Sequence, residues 1–455
     1  MGSVGELPQN QFSEYEKIYL RMSRAFKPLK KEHWAVHCVC SINHKPRTAG
    51  ENTLDTHKAL RNTWKRLAVE YPGLTVRPVE STKHYIPLNE AVLEDWASET
   101  FFVQDEACAD DIVADSEPRE LPSFYYLPRA SEIVFISQHW RTDAIGCCML
   151  LNRFFELLES GDTQSIAMGN ISPLSPSLEI AAGASSEEDA DIQSYAREHI
   201  DAFHAKAVHA GGLPFDGDAT RPPARTKHHD LTFTASQTQR LVQACKGQQM
   251  SVSAAIHVAL ARTYFSFAKT AEEKQAGYTT VMAVNMRPHL QAPYHEPAHA
   301  CQAYVVSITP TVPYVSDFPN AARALTLEYR SWYTEKLRRS LYWLFKYHAE
   351  KLFAPNTAKG QTADPAPPPS GVTLSSLGIV ERYLEGRYGN CVTVERFRFG
   401  VSMMTRQTLL YVWTFRGELT LSLDYNEAYY SYQMAAEVLS RLKKNLAEGL
   451  GVTLE

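Results

Sequence analysis

The spacing of apolar residues predicts alternating helices and strands in both halves of the chain. In the first half, residues 54–70 and 144–158 carry apolar side chains at helical spacing, and 131–137 (SEIVFIS) is typical of a buried strand. In the second half we predict helices at 236–246, 252–267 and 431–448 and strands at 278–284, 407–415 and 419–425. Ser251 is the expected N-cap of the helix at 252–267. Gly417-Glu418 is the expected hairpin turn between the last two strands. The mixture predicts the α/β class.

Two segments rich in glycine or proline interrupt this pattern. Residues 209–227 (HAGGLPFDGDATRPPARTK) have the composition of a linker, and 355–371 (PNTAKGQTADPAPPPSG) that of a loop inside the second half. The chain is therefore expected to divide into an N-terminal half at 1–208, a linker at 209–227 and a C-terminal half at 228–455.

The composition of the chain argues against several classes of function. The 455 residues carry 46 Lys and Arg against 51 Asp and Glu, a net charge of −5, which argues against a protein that neutralises many nucleic-acid phosphates. No apolar run approaches the ~20 residues that span a bilayer, and no secretory signal is expected, so we predict a cytoplasmic protein with no membrane partner. The 8 cysteines show no CxxC spacing and are expected to be reduced thiols. Glycine-rich phosphate loops of the Rossmann and P-loop types are absent.

Candidate chemistry concentrates where the strand 131–137 ends. His139 follows that strand, and Asp143 comes four residues later, directly before the amphipathic helix. This order places an imidazole at the end of a rigid element, where a neutral ring can take a proton from a hydroxyl or amine that attacks a carbonyl. Asp143 is expected to turn back and brace the loop. An HxxxD pattern by itself is weak, because a single His is more often structural.

A second His pattern is rejected as a metal site. His295 and His299 match the HExxH zinc motif in letters, but Pro297 inside it opposes the helix that this site needs. We therefore predict no metal.

The residues around His139 resemble a known active-site motif. The stretch IxxHWRTDAIG is similar to the HxxxD motif of the chloramphenicol-acetyltransferase-like superfamily, which includes plant BAHD acyltransferases, nonribosomal-peptide condensation domains and fungal trichothecene O-acetyltransferases. VNMRP at 284–288 is similar to the NxRP segment of the family, and SSLG at 375–378 stands in the place of its SNxG stretch. The Trp after the His and the chain length most resemble the fungal trichothecene 15-O-acetyltransferase-like enzymes.

This resemblance implies a fold, a reaction and roles for particular residues. The fold would be a pseudo-dimer of two chloramphenicol-acetyltransferase-like halves, each a mixed sheet with helices, with an active-site tunnel at their interface. The reaction would be direct acyl transfer from acyl-CoA as co-substrate, most simply acetyl-CoA, to a hydroxyl of a hydrophobic secondary metabolite, with no covalent acyl-enzyme and no permanently bound cofactor. His139 would be the general base.

The remaining site residues follow from the same resemblance. Asp143 would be structural, Gly146 would support the site, and Arg287, from the C-terminal half, would be the salt-bridge partner of Asp143. Residues expected at the substrate or CoA are Asn285, Ser375, Ser402 and Trp413. The sequence departs from the family at Ala144, where many relatives have Gly, and at 398–402 (RFGVS), which replaces the plant-type DFGWG.

Two other functions stay open at this point. One is amide or ester condensation from a carrier-protein thioester. The other is a pericyclase-like or binding role that reuses the fold without acyl transfer. For acyl transfer from CoA, the expected partners are a small-molecule alcohol acceptor and acyl-CoA, with no nucleic acid and no membrane, and a monomer is expected.

Overall fold

The computed structural model describes residues 11–45, 53–161, 174–208, 212–216, 221–314, 317–353 and 371–454. The helices are α1 (Glu14–Arg24), α2 (Thr53–Glu70), α3 (Glu90–Thr100), α4 (Ala109–Ala114), α5 (Ala144–Ser160), α6 (Leu178–Ala181), α7 (Ala190–Val208), α8 (Ala235–Gly247), α9 (Val252–Phe267), α10 (Ala271–Gln275), α11 (Phe318–Ser331), α12 (Glu335–Leu352) and α13 (Tyr432–Leu450).

The strands alternate with these helices, as the hydrophobic pattern predicts. They are β1 (Val36–His44), β2 (Arg77–Val79), β3 (Thr82–His84), β4 (Phe101–Val103), β5 (Ser123–Leu127), β6 (Glu132–Ser137), β7 (Thr226–Phe233), β8 (Tyr278–Thr279), β9 (Met282–Asn285), β10 (Val305–Ile308), β11 (Thr311–Val312), β12 (Val372–Ile379), β13 (Arg387–Tyr388), β14 (Val392–Val401), β15 (Thr408–Phe415) and β16 (Glu418–Asn426).

The described residues form two compact units, each with a six-stranded mixed sheet. Unit 1 contains residues up to Ser186 together with Asn285–Tyr304 and Val380–Ser402, and unit 2 contains Glu187–Val284, Val305–Ile379 and Met403 onward. Unit 1 thus takes two segments from the later part of the chain. The linear division at 209–227 describes chain order, and it does not tell which unit Arg287 belongs to.

The sheet of unit 1 has the order β13-β14-β1-β6-β5-β4. Its strands are antiparallel except for the parallel pair β4 and β5. The side chains of β1 are almost continuously buried, which fits its central position between β14 and β6. Helix α5 packs against α2 and lies directly after β6 in the chain.

The sheet of unit 2 has the order β10-β9-β12-β15-β16-β7, with β12 parallel to both β9 and β15. Its core is closed by α9, whose side chains are buried almost all round, and by α13, which packs against α9. Ser251 caps α9 as predicted, since its hydroxyl accepts the backbone N–H of Ala254 at 3.1 Å.

Two sequence predictions about local structure were wrong in detail. The predicted strand 278–284 is two short strands in different sheets, because β8 pairs with β11 and β9 joins the six-stranded sheet. The hairpin turn is Arg416-Gly417, one residue earlier than predicted. Both residues have positive φ (53° and 78°), as the two-residue turn that matches strand twist requires.

Two predictions fall wholly or partly on residues outside the described ranges. Of the predicted loop 355–371, the structure describes Gly371 alone. Of the predicted linker 209–227, it describes 212–216 and 221–227, and β7 already begins at Thr226.

Candidate active site

The candidate site lies in unit 1, at the end of the sheet where β1 begins and its neighbours β6 and β14 finish. Val36 at the start of β1 pairs with Ser137 at the end of β6 and with Val401 at the end of β14. The chain beyond β6 carries His139 away from this edge. The pairing of β1 with β6 and β14 therefore fixes the position of the backbone from which the His139 side chain extends.

Asp143 is the N-cap of α5, and its carboxylate is enclosed by donors. One oxygen accepts the backbone N–H of Gly146 at 2.8 Å, and the other accepts that of Tyr304 at 2.6 Å. The Nη1 atom of Arg287 donates to both oxygens, at 2.8 and 2.9 Å. All four hydrogen bonds tie the carboxylate to the surrounding segments, an arrangement compatible with the predicted structural role of Asp143.

Arg287 belongs to unit 1 together with Asp143, although it lies in the later half of the chain by sequence. The two side chains form a buried ion pair, only 3% and 6% exposed. The Nη2 atom of Arg287 donates to the carbonyl of Gln302 at 3.2 Å, and the Asn285 side chain accepts the Arg287 backbone N–H at 3.1 Å. The NxRP segment thus folds onto the start of α5.

Gly146 occupies a position where no side chain fits. A Cβ there would overlap the backbone oxygen of Ala300 and the hydroxyl oxygen of Thr142, and would lie 3.1 Å from Nη2 of Arg287. The hydroxyl of Thr142 donates to that same carbonyl of Ala300 at 3.1 Å. The glycine therefore allows the segment around Ala300 to approach α5 closely.

The His139 ring is partly exposed, and its Nδ1 atom is enclosed with no hydrogen-bond partner among the described residues. Burial lowers the pKa of His139 below its usual 6.5, and the backbone carbonyl of His139 itself and the Asp143 carboxylate act in the opposite direction. The imidazole is therefore neutral at pH 7, which is the state that can accept a proton.

Tyr19 of α1 stacks on this ring, with centroids 4.5 Å apart and planes 25° apart. Helix α1 is anchored by Glu16, whose buried carboxylate pairs with Lys83 and accepts a hydrogen bond from Gln302 at 3.1 Å. The same Glu16 completes a capping box with Ser13. The anchored helix holds Tyr19 against His139.

The four residues predicted at substrate or CoA are divided between the units. Asn285 lies beside Arg287 in unit 1. Ser402 is buried in unit 1, where its backbone exchanges hydrogen bonds with Trp34 and Ala35. Ser375 and Trp413 lie in unit 2, on the adjacent parallel strands β12 and β15.

The surroundings of the other reactive side chains near the motif do not favour a catalytic or metal-binding role. Cys147 and Cys148 are fully buried on α5, and burial raises the pKa of both thiols, so thiolate is suppressed. Pro297–His299 forms a single 3-10 turn and not the helix that HExxH requires. No group of three or more His, Cys, Asp or Glu among the described residues is arranged to hold a metal ion. Within the same ranges, no helix is both long and apolar enough to cross a membrane.

Sequence reasoning missed Tyr19 and the segment around Ala300 and Tyr304. The signal for Tyr19 was present: Ser13 and Glu16 form a capping-box pattern, and Tyr15 and Tyr19 follow on one helix face. Nothing in the sequence marks the backbone N–H of Tyr304 as a partner of Asp143, because that contact depends on tertiary structure alone.

Comparison with known proteins supplies relatives over the full length of the chain. No family model matches. The chain is 50% identical to "Azaphilone biosynthesis cluster protein M" of Aspergillus terreus, covering 100% of this chain and 99% of the relative. It is 45% identical to "O-acetyltransferase pigM" of Monascus ruber (98% and 86%) and 30% identical to "Acetyltransferase pigO" of the same organism (98% and 96%).

Solved structures share the fold at low sequence identity. TRI3 trichothecene 15-O-acetyltransferase from Fusarium sporotrichioides superposes with a TM-score of 0.77 at 16% identity, covering 99% of this chain and 96% of that one. The epimerization domain from the third module of tyrocidine synthetase B superposes with a TM-score of 0.60 at 13% identity, covering 99% of both chains. The predicted fold class of two mixed α/β lobes is confirmed.

Proposed function

We propose that this chain, which belongs to a family of fungal acetyltransferases of secondary metabolism, moves an acetyl group from acetyl-CoA to a hydroxyl of a hydrophobic metabolite. His139 is the general base in this proposal. The acetyl group is supported by two relatives, "O-acetyltransferase pigM" and "Acetyltransferase pigO".

The role of His139 as general base is supported by one observation: its imidazole ring is both uncharged and partly exposed. Burial keeps the ring uncharged at pH 7, and the atom enclosed without a partner is Nδ1. Nε2 is then the nitrogen that meets the acceptor hydroxyl. The Asp143–Arg287 ion pair holds the loop behind the ring, so we assign it a structural role.

The reaction then proceeds without a covalent enzyme intermediate. Nε2 of His139 takes the hydroxyl proton as the oxygen attacks the thioester carbonyl, giving a tetrahedral adduct and an imidazolium. The C–S bond breaks, and the departing thiolate receives the proton from the imidazolium. Ester and free CoA leave, and His139 is neutral again. General base action of this kind contributes roughly 10² to 10⁴ in rate.

The remaining features of the proposal extend the sequence reasoning. The acyl-CoA is a co-substrate and not a resident cofactor, the protein acts as a monomer in the cytoplasm, and neither nucleic acid nor membrane takes part. Asn285, Ser375, Ser402 and Trp413 are assigned to substrate or CoA binding.

The test is turnover of a panel of terpenoid and polyketide alcohols with acetyl-CoA, compared between wild type and His139→Ala. We expect the variant to lose about 10²- to 10⁴-fold in kcat/KM. His84→Ala, a replacement of an exposed His on β3, is the matched control and should keep full activity. Equal turnover by His139→Ala and wild type would refute the role of His139.

The same panel separates the two alternative functions. Turnover with a loaded carrier protein but not with any CoA thioester would replace our proposal by condensation. Conversion of a metabolite without any thioester would replace it by a pericyclase-like role.

A further inference from the structure

Tyr19 lies where it can influence the charge of His139. Its ring stacks on the imidazole at 4.5 Å, and it is flanked by Tyr15 at 5.1 Å and Trp34 at 6.1 Å. Burial raises the pKa of the Tyr19 hydroxyl to about 12. The ring is therefore a neutral phenol throughout the working pH range, and the face it turns to His139 is a π-face and not a phenolate.

A π-face matters because His139 changes charge during the proposed reaction. Burial disfavours the imidazolium that forms when the alcohol loses its proton. Aromatic rings attract a cation within about 6 Å of their centroid, and this attraction grows when water is excluded. The 4.5 Å stacking distance lies inside that range.

The Asp143 carboxylate also acts on the imidazole. Asp143, at the N-cap of α5, favours the imidazolium, and so does the carbonyl of His139 itself. The charge of Asp143 is shared with Arg287, which pairs with both carboxylate oxygens. Arg287 thereby offsets part of the field of Asp143, whereas the ring of Tyr19 is in direct contact with the imidazole.

We propose that Tyr19 is a positioning residue that fixes the plane of the His139 ring and stabilises the imidazolium formed during acyl transfer. The buried Glu16–Lys83 pair serves this role, because it anchors the helix that carries Tyr19. The part of this inference that concerns rate rests on the proposed function; the contact between ring and imidazole does not.

The direct test is an NMR titration of His139 in variants of Tyr19, with its signal assigned by its loss in His139→Gln. Tyr19→Leu keeps the apolar bulk but removes the π-face. We expect the pKa of His139 to fall by about 0.5 to 1.5 in this variant. Tyr19→Phe keeps the π-face and should restore the wild-type pKa.

Kinetics provide the second readout. Tyr19→Leu should lower kcat by about 3- to 30-fold with little change in KM, and Tyr19→Phe should recover most of the loss. Tyr432→Leu is the matched control, because it removes an exposed tyrosine that contacts His229 in unit 2 and should leave the His139 titration unchanged. Tyr19→Met replaces Tyr19→Leu if the leucine variant does not fold.

The outcomes separate this inference from the proposed function. An unchanged or raised pKa of His139 in Tyr19→Leu, or a failure of Tyr19→Phe to restore it, overturns the inference even if His139→Ala is inactive. Full turnover by His139→Ala overturns the proposed function, while the titration still decides whether Tyr19 stabilises the imidazolium.

Discussion

Replacing Asp143 by alanine removes the acceptor that joins three segments of unit 1. In the wild type the carboxylate binds the backbone N–H groups of Gly146 and Tyr304 and the guanidinium of Arg287. In the variant both N–H groups lose their acceptor, and the guanidinium stays buried without its counter-charge. We therefore expect loss of stability and of activity together.

The magnitude follows from the burial of the ion pair. Removing one partner of a buried, hydrogen-bonded pair costs about 3–5 kcal/mol, mostly because the other charge is left uncompensated. Loss of an N-cap alone costs about 1 kcal/mol. The two effects share one side chain and do not simply add, so we expect about 4 kcal/mol for Asp143→Ala. Such a loss is a large part of the roughly 5–15 kcal/mol that stabilises a typical protein.

The assay is urea unfolding followed by tryptophan fluorescence. The matched control is Asp317→Ala, because Asp317 is the exposed N-cap of α11 and its side chain accepts the backbone N–H of Asn320. The control should lose about 1 kcal/mol. The double variant Asp143→Ala/Arg287→Met should be more stable than Asp143→Ala, because no charge is left buried alone. Equal losses in Asp143→Ala and Asp317→Ala would refute the reasoning.

Three further predictions concern the same unit. Gly146→Ala should destabilise the protein by about 1–3 kcal/mol in urea unfolding, because its Cβ overlaps the Thr142 hydroxyl and a backbone carbonyl; a neutral result would show that the close approach is not required. The pH profile of kcat/KM should fall only on the acid side of 6.5 and stay level from 7 to 8, since burial lowers the pKa of His139 and its neutral form is the active one; a fall beginning above pH 7 would contradict this. Lys83→Met should cost about 3–5 kcal/mol by leaving the Glu16 carboxylate buried without its partner, and a loss below about 1 kcal/mol would show that the pair does not anchor α1.

Local pattern was sufficient to predict the elements that carry the motif. The apolar run before His139 is β6, the amphipathic stretch after Asp143 is α5, and Asp143 caps that helix as its position requires. These features depend on neighbours in sequence, where periodicity and capping preferences are informative.

Other parts of the site depend on contacts between distant segments. The pairing of Arg287 with Asp143 came from resemblance, and its placement in unit 1 needed the structure. The stacking of Tyr19 on His139 had only a helix pattern to indicate it. The turn at Arg416 was misplaced by one residue, because positive φ at a non-glycine residue has no reliable sequence signal.

The strand order of the unit 1 sheet also determines when this sheet can be completed during synthesis of the chain. Its central strand β1 is among the first segments made, but Val36 pairs with Val401 of β14, which is among the last. Until residue 402 has left the ribosome, one edge of β1 has no β14 to pair with. Such unpaired strand edges are sites of aggregation. A fragment ending at residue 227 would contain the whole HxxxD motif but would leave β1 without β14, and we expect it to self-associate through that open edge.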